Sequence, residues 1–222
     1  MALVTPIDSL SFPIPKMTST SSTTIGILGG IASGKSAVGR LLAGSGGVVI
    51  DADHHARAAL NSPEVVRELV SAFGRKMIGP DGLPDRAAIA ERVFGDPKAK
   101  RQLENWIHPA VRERMRVDLD EARAAKRSPI VLDVPLLLEN DAQHGLVQEC
   151  DFLVFVDSEP GTRDARAVRN RNWQAGEVAR REATQLPLET KRARARHVVE
   201  NDGELSELES AVEAILTAEG LR

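Results

Sequence analysis

The segment that most constrains this chain is GGIASGKS at residues 29–36, which follows a short apolar run at 24–28. It matches the pattern G-x-x-x-x-G-K-[ST], in which glycines let backbone N–H groups approach phosphate oxygens without a Cβ in the way. The loop opens a predicted helix over 36–43, whose N-terminal dipole favours an anion. The predicted phosphate-binding loop, or P-loop, and its ATP contacts comprise Gly29, Gly30, Ile31, Ala32, Ser33, Gly34, Lys35, Ser36 and Ala37.

Two side chains of this loop have predicted roles in phosphate chemistry. Lys35 can reach the β- and γ-phosphates, and the Ser36 hydroxyl can ligate Mg²⁺. The alternative is a glycine-rich turn that contains Lys-Ser by chance. The order of predicted strand, loop and helix favours a nucleoside triphosphate site over that alternative.

Short apolar runs recur along the chain at 24–28, 48–50, 130–132 and 152–156, with a weaker one at 197–199. Helical stretches separate them, which is typical of a parallel sheet covered on both faces. The predicted fold is α/β: a P-loop NTPase-type three-layer domain over 23–222 with about five parallel strands. Residues 1–22, rich in Pro, Ser and Thr and without a secretory pattern, are predicted to be a flexible tail.

Composition excludes several classes of protein. A net charge of -3, no apolar run of membrane length and one cysteine, Cys150, argue against a membrane protein, a disulfide framework and a Cys-rich zinc site. Charge is segregated, because residues 160–197 carry a net +6 and residues 198–222 a net -6. We expect a cytoplasmic protein without membrane or nucleic-acid partners; an ATP-responsive nucleic-acid-binding module is the remote alternative for the basic segment.

The chain lacks the Asp-x-x-Gly and Asn-Lys-x-Asp patterns of switch GTPases. A small P-loop domain with an Arg-rich segment is typical of a small-molecule kinase, in which that segment closes as a lid and excludes water. Asp51-Ala52-Asp53 follows the second strand at the ligand-binding edge of the sheet. If this segment stays extended, both carboxylates face the cleft, one as base for an acceptor hydroxyl and the other as metal support. The alternative is that the two Asp cap a helix starting near His54.

Several motifs in order make the chain resemble the dephospho-CoA kinase family over residues 24–203. They are GGIASGKS, VVIDADHHAR, Ile107-His108-Pro109, DVPLLLE at 133–139, Arg181 with Gln185, Lys191, and VVENDG at 198–203. The resemblance implies transfer of the ATP γ-phosphoryl to the ribose 3′-hydroxyl of dephospho-CoA, the last step of CoA synthesis, with Mg²⁺. It also implies a helical CoA-binding insertion at about 56–125 and a lid at about 160–190. A kinase of another small metabolite or nucleoside is the alternative.

The resemblance assigns roles residue by residue. Asp53 would be the base, and Asp51 or Asp133 would contact Mg²⁺ through water. Contacts to the acceptor would come from Arg57, Arg86 and His108, and contacts to ATP from Asn201, Arg171 and Arg181, with Arg171 also catalytic. Arg169 stays open as an alternative lid arginine.

The chain departs from the family pattern at several positions. Ala32 stands where the family usually has Gly, and Glu182 replaces an apolar residue after the lid arginine. Arg-Asn-Arg-Asn-Trp at 169–173 carries an extra Arg and a Trp, and Arg196 stands where Asp is common. These departures leave Lys35, Ser36 and Asp53 untouched and concern mainly the lid.

Overall fold

A computed structural model describes residues 22–222; the predicted tail lies outside them up to residue 21. The strands are β1 (Thr24–Gly29), β2 (Val48–Asp51), β3 (Ile130–Asp133), β4 (Phe152–Asp157) and β5 (His197–Glu200). They form one sheet in the order β2-β3-β1-β4-β5, and every neighbouring pair is parallel. The predicted α/β fold with five parallel strands is confirmed.

Helices connect these strands on both faces of the sheet. They are α1 (Lys35–Ala43), α2 (Ala52–Leu60), α3 (Pro63–Phe73), α4 (Arg86–Val93), α5 (Pro97–Ala124), α6 (Asp141–His144), α7 (Pro160–Arg171), α8 (Glu177–Glu182), α9 (Leu188–Arg194) and α10 (Leu205–Ala218). Side-chain oxygens accept hydrogen bonds from the free N–H groups at the starts of α2 to α5, which fixes where these helices begin. Within residues 22–222, no helix is long and apolar enough to cross a membrane.

The core explains why the strands read as continuous apolar runs. On one face, Val38 and Leu42 of α1 pack with Val212 and Leu216 of α10 against the sheet. On the other face, α5 supplies Met115, Leu119 and Ala122. The part of the chain between β2 and β3 has a smaller core of its own, formed by Val65, Leu69, Phe73, Met77, Ile89 and Ala99. Because both faces are buried, polar residues in β1, β3 and β4 occur only at the strand ends, at Thr24, Asp133 and Asp157.

Residues 51–53 do not stay extended, so the condition on which both carboxylates were expected to face the cleft is not met. Helix α2 begins at Ala52, and the Asp51 carboxylate caps it by accepting from the N–H groups of Asp53 at 2.8 Å and His54 at 3.2 Å. The capping alternative is therefore right for Asp51, because its carboxylate satisfies donors that the first helical turn leaves free. The parallel register still aligns Asp51 with Asp133, so both strand ends meet at the edge where the P-loop emerges.

Candidate active site

The P-loop joins β1 to α1 and takes the conformation that its glycines predict. Gly34, the residue before α1, has φ 95°, and Ala32 has φ 60°. Ala32 thus holds a left-handed conformation that glycine adopts at lower cost, which explains the glycine usual in the family pattern. The turn keeps its shape with alanine at a cost of about 1 kcal/mol.

Lys35 folds back over the loop. Its Nζ donates to the carbonyl oxygens of Gly29 at 3.2 Å and Gly30 at 2.7 Å. Burial lowers the pKa of the Lys35 ammonium to about 8, an effect that the Asp133 carboxylate opposes and the nearby cations of Lys191 and Arg171 reinforce. A phosphate in the loop would supply the negative charge that this buried ammonium needs.

Three carboxylates gather beside the loop, and their hydrogen bonds distinguish them. Asp133 is buried and accepts from the Ser36 hydroxyl at 2.6 Å, while Asp51 caps α2. Asp53 lies in the first turn of α2 and is exposed to the cleft. Desolvation raises the pKa of Asp53, and the like charges of Asp51 and Asp133 raise it further.

A cavity of about 910 Å³ joins these groups to the lid segment and the acceptor side. Gly29 and residues 31–37 line it with Asp51, Asp53, Arg57, Asp133, Arg166, Arg169, Arg171 and Asn201. Arg86, at the exposed start of α4, and His108, within α5, lie outside this lining. The structure thus brings Arg57 to the cleft beside Asp53 and leaves the other two predicted acceptor contacts apart from it.

The two predicted lid arginines are arranged differently. Arg171 lines the cavity, whereas Arg181 lies outside the lining and donates to Glu177 at 2.7 Å. Both guanidinium groups lie over the Trp173 ring, with distances to its centroid of 5.1 Å for Arg171 and 4.2 Å for Arg181. Such stacking favours a cation over an aromatic face, so Trp173 holds the two arginines together.

Two residues support the P-loop from outside it: Arg166, which had no predicted role, and Asn201, which was predicted to contact ATP. Arg166 and Asn201 both donate to the Ser33 carbonyl, at 3.4 and 2.7 Å, and Arg166 also donates to the Asn201 carbonyl at 2.7 Å. Asn201 therefore uses its amide to hold the loop. The sequence signals for this support of the Ser33 carbonyl were the position of Asn201 after the last strand and the excess of arginine in residues 160–197.

A largely buried ion pair connects α9 to the loop after β3. Lys191 Nζ lies 2.7 Å from the Glu139 carboxylate and donates to the Gln185 side chain at 3.1 Å. The Lys191 and Glu139 side chains are almost entirely buried, so breaking this pair would leave an uncompensated charge. The resemblance included these three residues without a role, and the geometry indicates a structural one.

The model of the family described as dephospho-CoA kinase matches residues 23–207. The chain belongs to the dephospho-CoA kinase family. A dephospho-CoA kinase of Geobacter sulfurreducens is 38% identical over 192 residues, which cover 86% of this chain and 95% of that protein. One of Anaeromyxobacter dehalogenans is 41% identical over 180 residues, covering 81% and 83%.

A solved structure shares the fold of this chain. TT1252 from Thermus thermophilus superposes with a TM-score of 0.70 at 34% identity, over 89% of this chain and 97% of that one. The resemblance on sequence motifs is thus confirmed, as is the prediction of a kinase that acts in CoA biosynthesis. The individual site residues rest on the geometry above.

Proposed function

We propose that this chain transfers the γ-phosphoryl group of ATP to the 3′-hydroxyl of dephospho-CoA, with Asp53 as the base. The observation that carries the proposal is the single cavity in which the P-loop and Lys35 lie on one side and Asp53 and Arg57 on the other. Family membership supports the choice of substrates. The cytoplasmic location stays a prediction from sequence.

Asp53 suits the role of base because its neighbours are already engaged. Asp51 caps α2 and Asp133 accepts from Ser36, whereas Asp53 is exposed to the cleft with a raised pKa. A more basic carboxylate accepts a hydroxyl proton more readily in the transition state. Asp53 takes the proton of the 3′-hydroxyl as its oxygen attacks the γ-phosphorus, and the bond to the leaving ADP oxygen breaks.

The donor side acts through positive charge and positioning. The Lys35 ammonium has three N–H donors, so it can keep its bond to the Gly30 carbonyl and also donate to β- and γ-phosphate oxygens. The N–H groups of the loop other than that of Ile31, which donates to Glu182, hold the same phosphates. Arg171 stabilises charge on the transferring group, since it lines the cavity and its field reaches both Lys35 and Asp53. Arg181 contacts ATP only after exchanging its bond to Glu177.

The residues near the loop fit a magnesium ion. Ser36 and Asp133 offer oxygen ligands 2.6 Å apart, and the Asp51 carboxylate lies on the adjacent strand. Within residues 22–222 no group of three or more His, Cys, Asp or Glu could hold a metal alone, which suits an ion that is bound with substrate phosphates and water. Ser36 would bind the ion directly and Asp133 or Asp51 through water. When bound, it neutralises charge on the β- and γ-phosphates.

Arg57 is the acceptor contact that the cleft supports, because it follows Asp53 by one helical turn and lines the cavity. A guanidinium there can bind a phosphate of the acceptor bidentately. Arg86 and His108 have no comparable support from the cleft, and they contribute to acceptor binding only if the part of the chain between β2 and β3 moves toward it.

An assay of ADP release with ATP and Mg²⁺ tests the proposal, with dephospho-CoA, adenosine, AMP and shikimate as separate acceptors. We expect turnover with dephospho-CoA alone. Robust turnover with another acceptor would keep the P-loop kinase and replace its substrate. ATP binding without turnover on any acceptor would favour the binding-module alternative, which a salt-dependent DNA gel shift then tests.

A further inference from the structure

A carboxylate of the lid segment lies against the P-loop. Glu182, the last residue of α8, accepts from the Ile31 N–H at 2.6 Å and from the Arg163 guanidinium at 2.5 Å. Its side chain is only 15% exposed, and that of Arg163 only 5%. Both side chains are therefore largely removed from water, and the contact joins α8 to the P-loop.

The contact fixes one peptide of the loop from both sides. The carbonyl of Gly30 accepts from Lys35 at 2.7 Å, while the N–H of Ile31, in the same peptide unit, donates to Glu182. The peptide dipole therefore runs between an ammonium and a carboxylate, and each end makes a charge-assisted hydrogen bond. Reversing this peptide would direct its carbonyl at the carboxylate and its N–H at the ammonium.

Arg163 makes this arrangement rigid and nearly neutral. Its Nε donates to the Ser158 carbonyl at 3.0 Å, so the guanidinium is anchored at the start of α7 when it binds Glu182. The positive charge of Arg163 offsets that of the carboxylate, which limits repulsion of an incoming phosphate. Gly30 is required at this point, because a Cβ there would lie 2.6 Å from Arg163 and 2.8 Å from Glu182.

We propose that Glu182 is a positioning residue of this kinase: from the lid segment, it sets the Gly30–Ile31 peptide and through that peptide the position of Lys35. ATP affinity then depends on a side chain that need not touch ATP. The inference rests on the proposed phosphate contact of Lys35. The variant Lys35→Met is therefore measured alongside the Glu182 variants, because it tests the phosphate contact of Lys35 separately.

The experiment measures ATP KM and kcat at saturating dephospho-CoA, and ATP affinity by calorimetry without acceptor. We expect Glu182→Ile to raise ATP KM and Kd about tenfold and to lower kcat less, since a charge-assisted bond is lost. Glu182→Gln keeps an acceptor oxygen for the Ile31 N–H and should fall between. Glu189→Gln, on the exposed start of α9, is the matched control and should behave as wild type.

A paired variant separates positioning from stability, because Glu182→Ile alone leaves Arg163 buried without a counter-charge. Arg163→Leu with Glu182→Ile removes both charges, and its thermal melting reports folding. A raised ATP KM in the folded pair variant supports the proposal. A wild-type ATP KM in that variant overturns it, and a lowered one overturns it by making Glu182 a competitor of phosphate. A wild-type ATP KM in Lys35→Met would instead refute the role of Lys35.

Discussion

The two sides of the cleft are built in different ways. The proposed donor side is one contiguous loop, residues 29–36, in which Lys35 and Ser36 act through their side chains and Gly29, Gly30, Ile31 and Ser33 through their backbone groups. The acceptor side combines the first turn of α2, the end of β3 and Arg57, and its supports are distant in sequence. For example, the Asp118 carboxylate of α5 lies 2.9 Å from Nε2 of buried His55, and Arg116 donates to the His144 carbonyl at 2.8 Å.

Burial acts in the same sense on the principal charged group of each side, although the two groups have opposite charges. Burial lowers the pKa of Lys35 to about 8, and desolvation raises the pKa of Asp53. Each group is therefore less favourable in its charged form than in water, as the low dielectric of the cleft requires. In the proposed reaction, Lys35 would gain from the phosphate anion and Asp53 from the acceptor hydroxyl, so each substrate would offset the desolvation cost on its own side.

The largest expected effect comes from the acceptor side. Asp53→Asn should lower kcat by roughly 10²–10⁴ while ATP binding stays within about twofold, because a general base is removed without changing the loop. Steady-state kinetics with dephospho-CoA, together with calorimetry for ATP, measure both quantities. A kcat near that of wild type would rule out Asp53 as the base.

Asp51→Asn is the matched comparison, since asparagine caps a helix as well as aspartate does. We expect a kcat loss below about tenfold for this variant, reflecting only a lost support. Removing the Asp51 charge also lowers the pKa of Asp53, so the acidic limb of the kcat profile should move to lower pH. A limb that moves to higher pH would contradict the assigned coupling.

On the donor side, we expect a change of backbone conformation in the P-loop to weaken ATP binding. Gly34→Ala places a Cβ 2.1 Å from the Asn201 amide nitrogen at a φ of 95°, so the loop must shift. We expect ATP KM to rise roughly 100-fold, on the order of 3 kcal/mol of strain. Gly161→Ala, a helical site with open space around it, is the control and should keep the wild-type KM. Equal KM values for the two variants would show that the loop adapts.

A smaller effect, on the KM for dephospho-CoA, distinguishes which arginine side chains bind the acceptor in the cleft. Arg57→Ala should raise the KM for dephospho-CoA about tenfold, because a hydrogen bond to a charged group is lost, and leave the KM for ATP unchanged. Arg86→Ala, at the exposed start of α4, should change neither constant by more than about twofold. A larger effect for Arg86 than for Arg57 would mean that acceptor binding involves closure of the part of the chain between β2 and β3.

The smallest effect concerns how the acceptor side is anchored. The Leu146 N–H donates to His144 Nδ1 at 3.0 Å, and burial lowers the pKa of His144. The unfolded chain therefore binds a proton more readily, so stability is complete above about pH 6.5 and falls as the pH drops toward the folded pKa. We expect the free energy of unfolding, measured with urea, to fall between pH 7 and pH 5, and to fall less in His144→Asn. Equal losses in both proteins would assign the pH dependence to other groups.

Local patterns were enough for the strands and the P-loop. Each strand is centred on an apolar run, and the loop residues contact one another within eight positions of sequence. Short segments of sequence therefore suffice to predict the strands and the P-loop. Residues 51–53 do not stay extended, because the Asp51 carboxylate caps a helix that begins at Ala52, and the apolar run of the preceding strand carries no signal for that helix. The sequence shows the excess of positive charge in residues 160–197, but it does not show which of these arginine side chains line the cleft.

The sequence by itself determined the parallel α/β sheet, the phosphate-binding loop and, through ordered motifs, the family. Only the tertiary structure decided that Arg166 and Asn201 hold the Ser33 carbonyl, that Arg181 turns to Glu177, and that Glu182 lies on the Ile31 N–H. Backbone conformation depends mainly on residues nearby in sequence, whereas a polar side chain can form its hydrogen bond with a partner as far as 168 residues away in sequence. That choice follows from burial and charge, which exist only once the chain has folded.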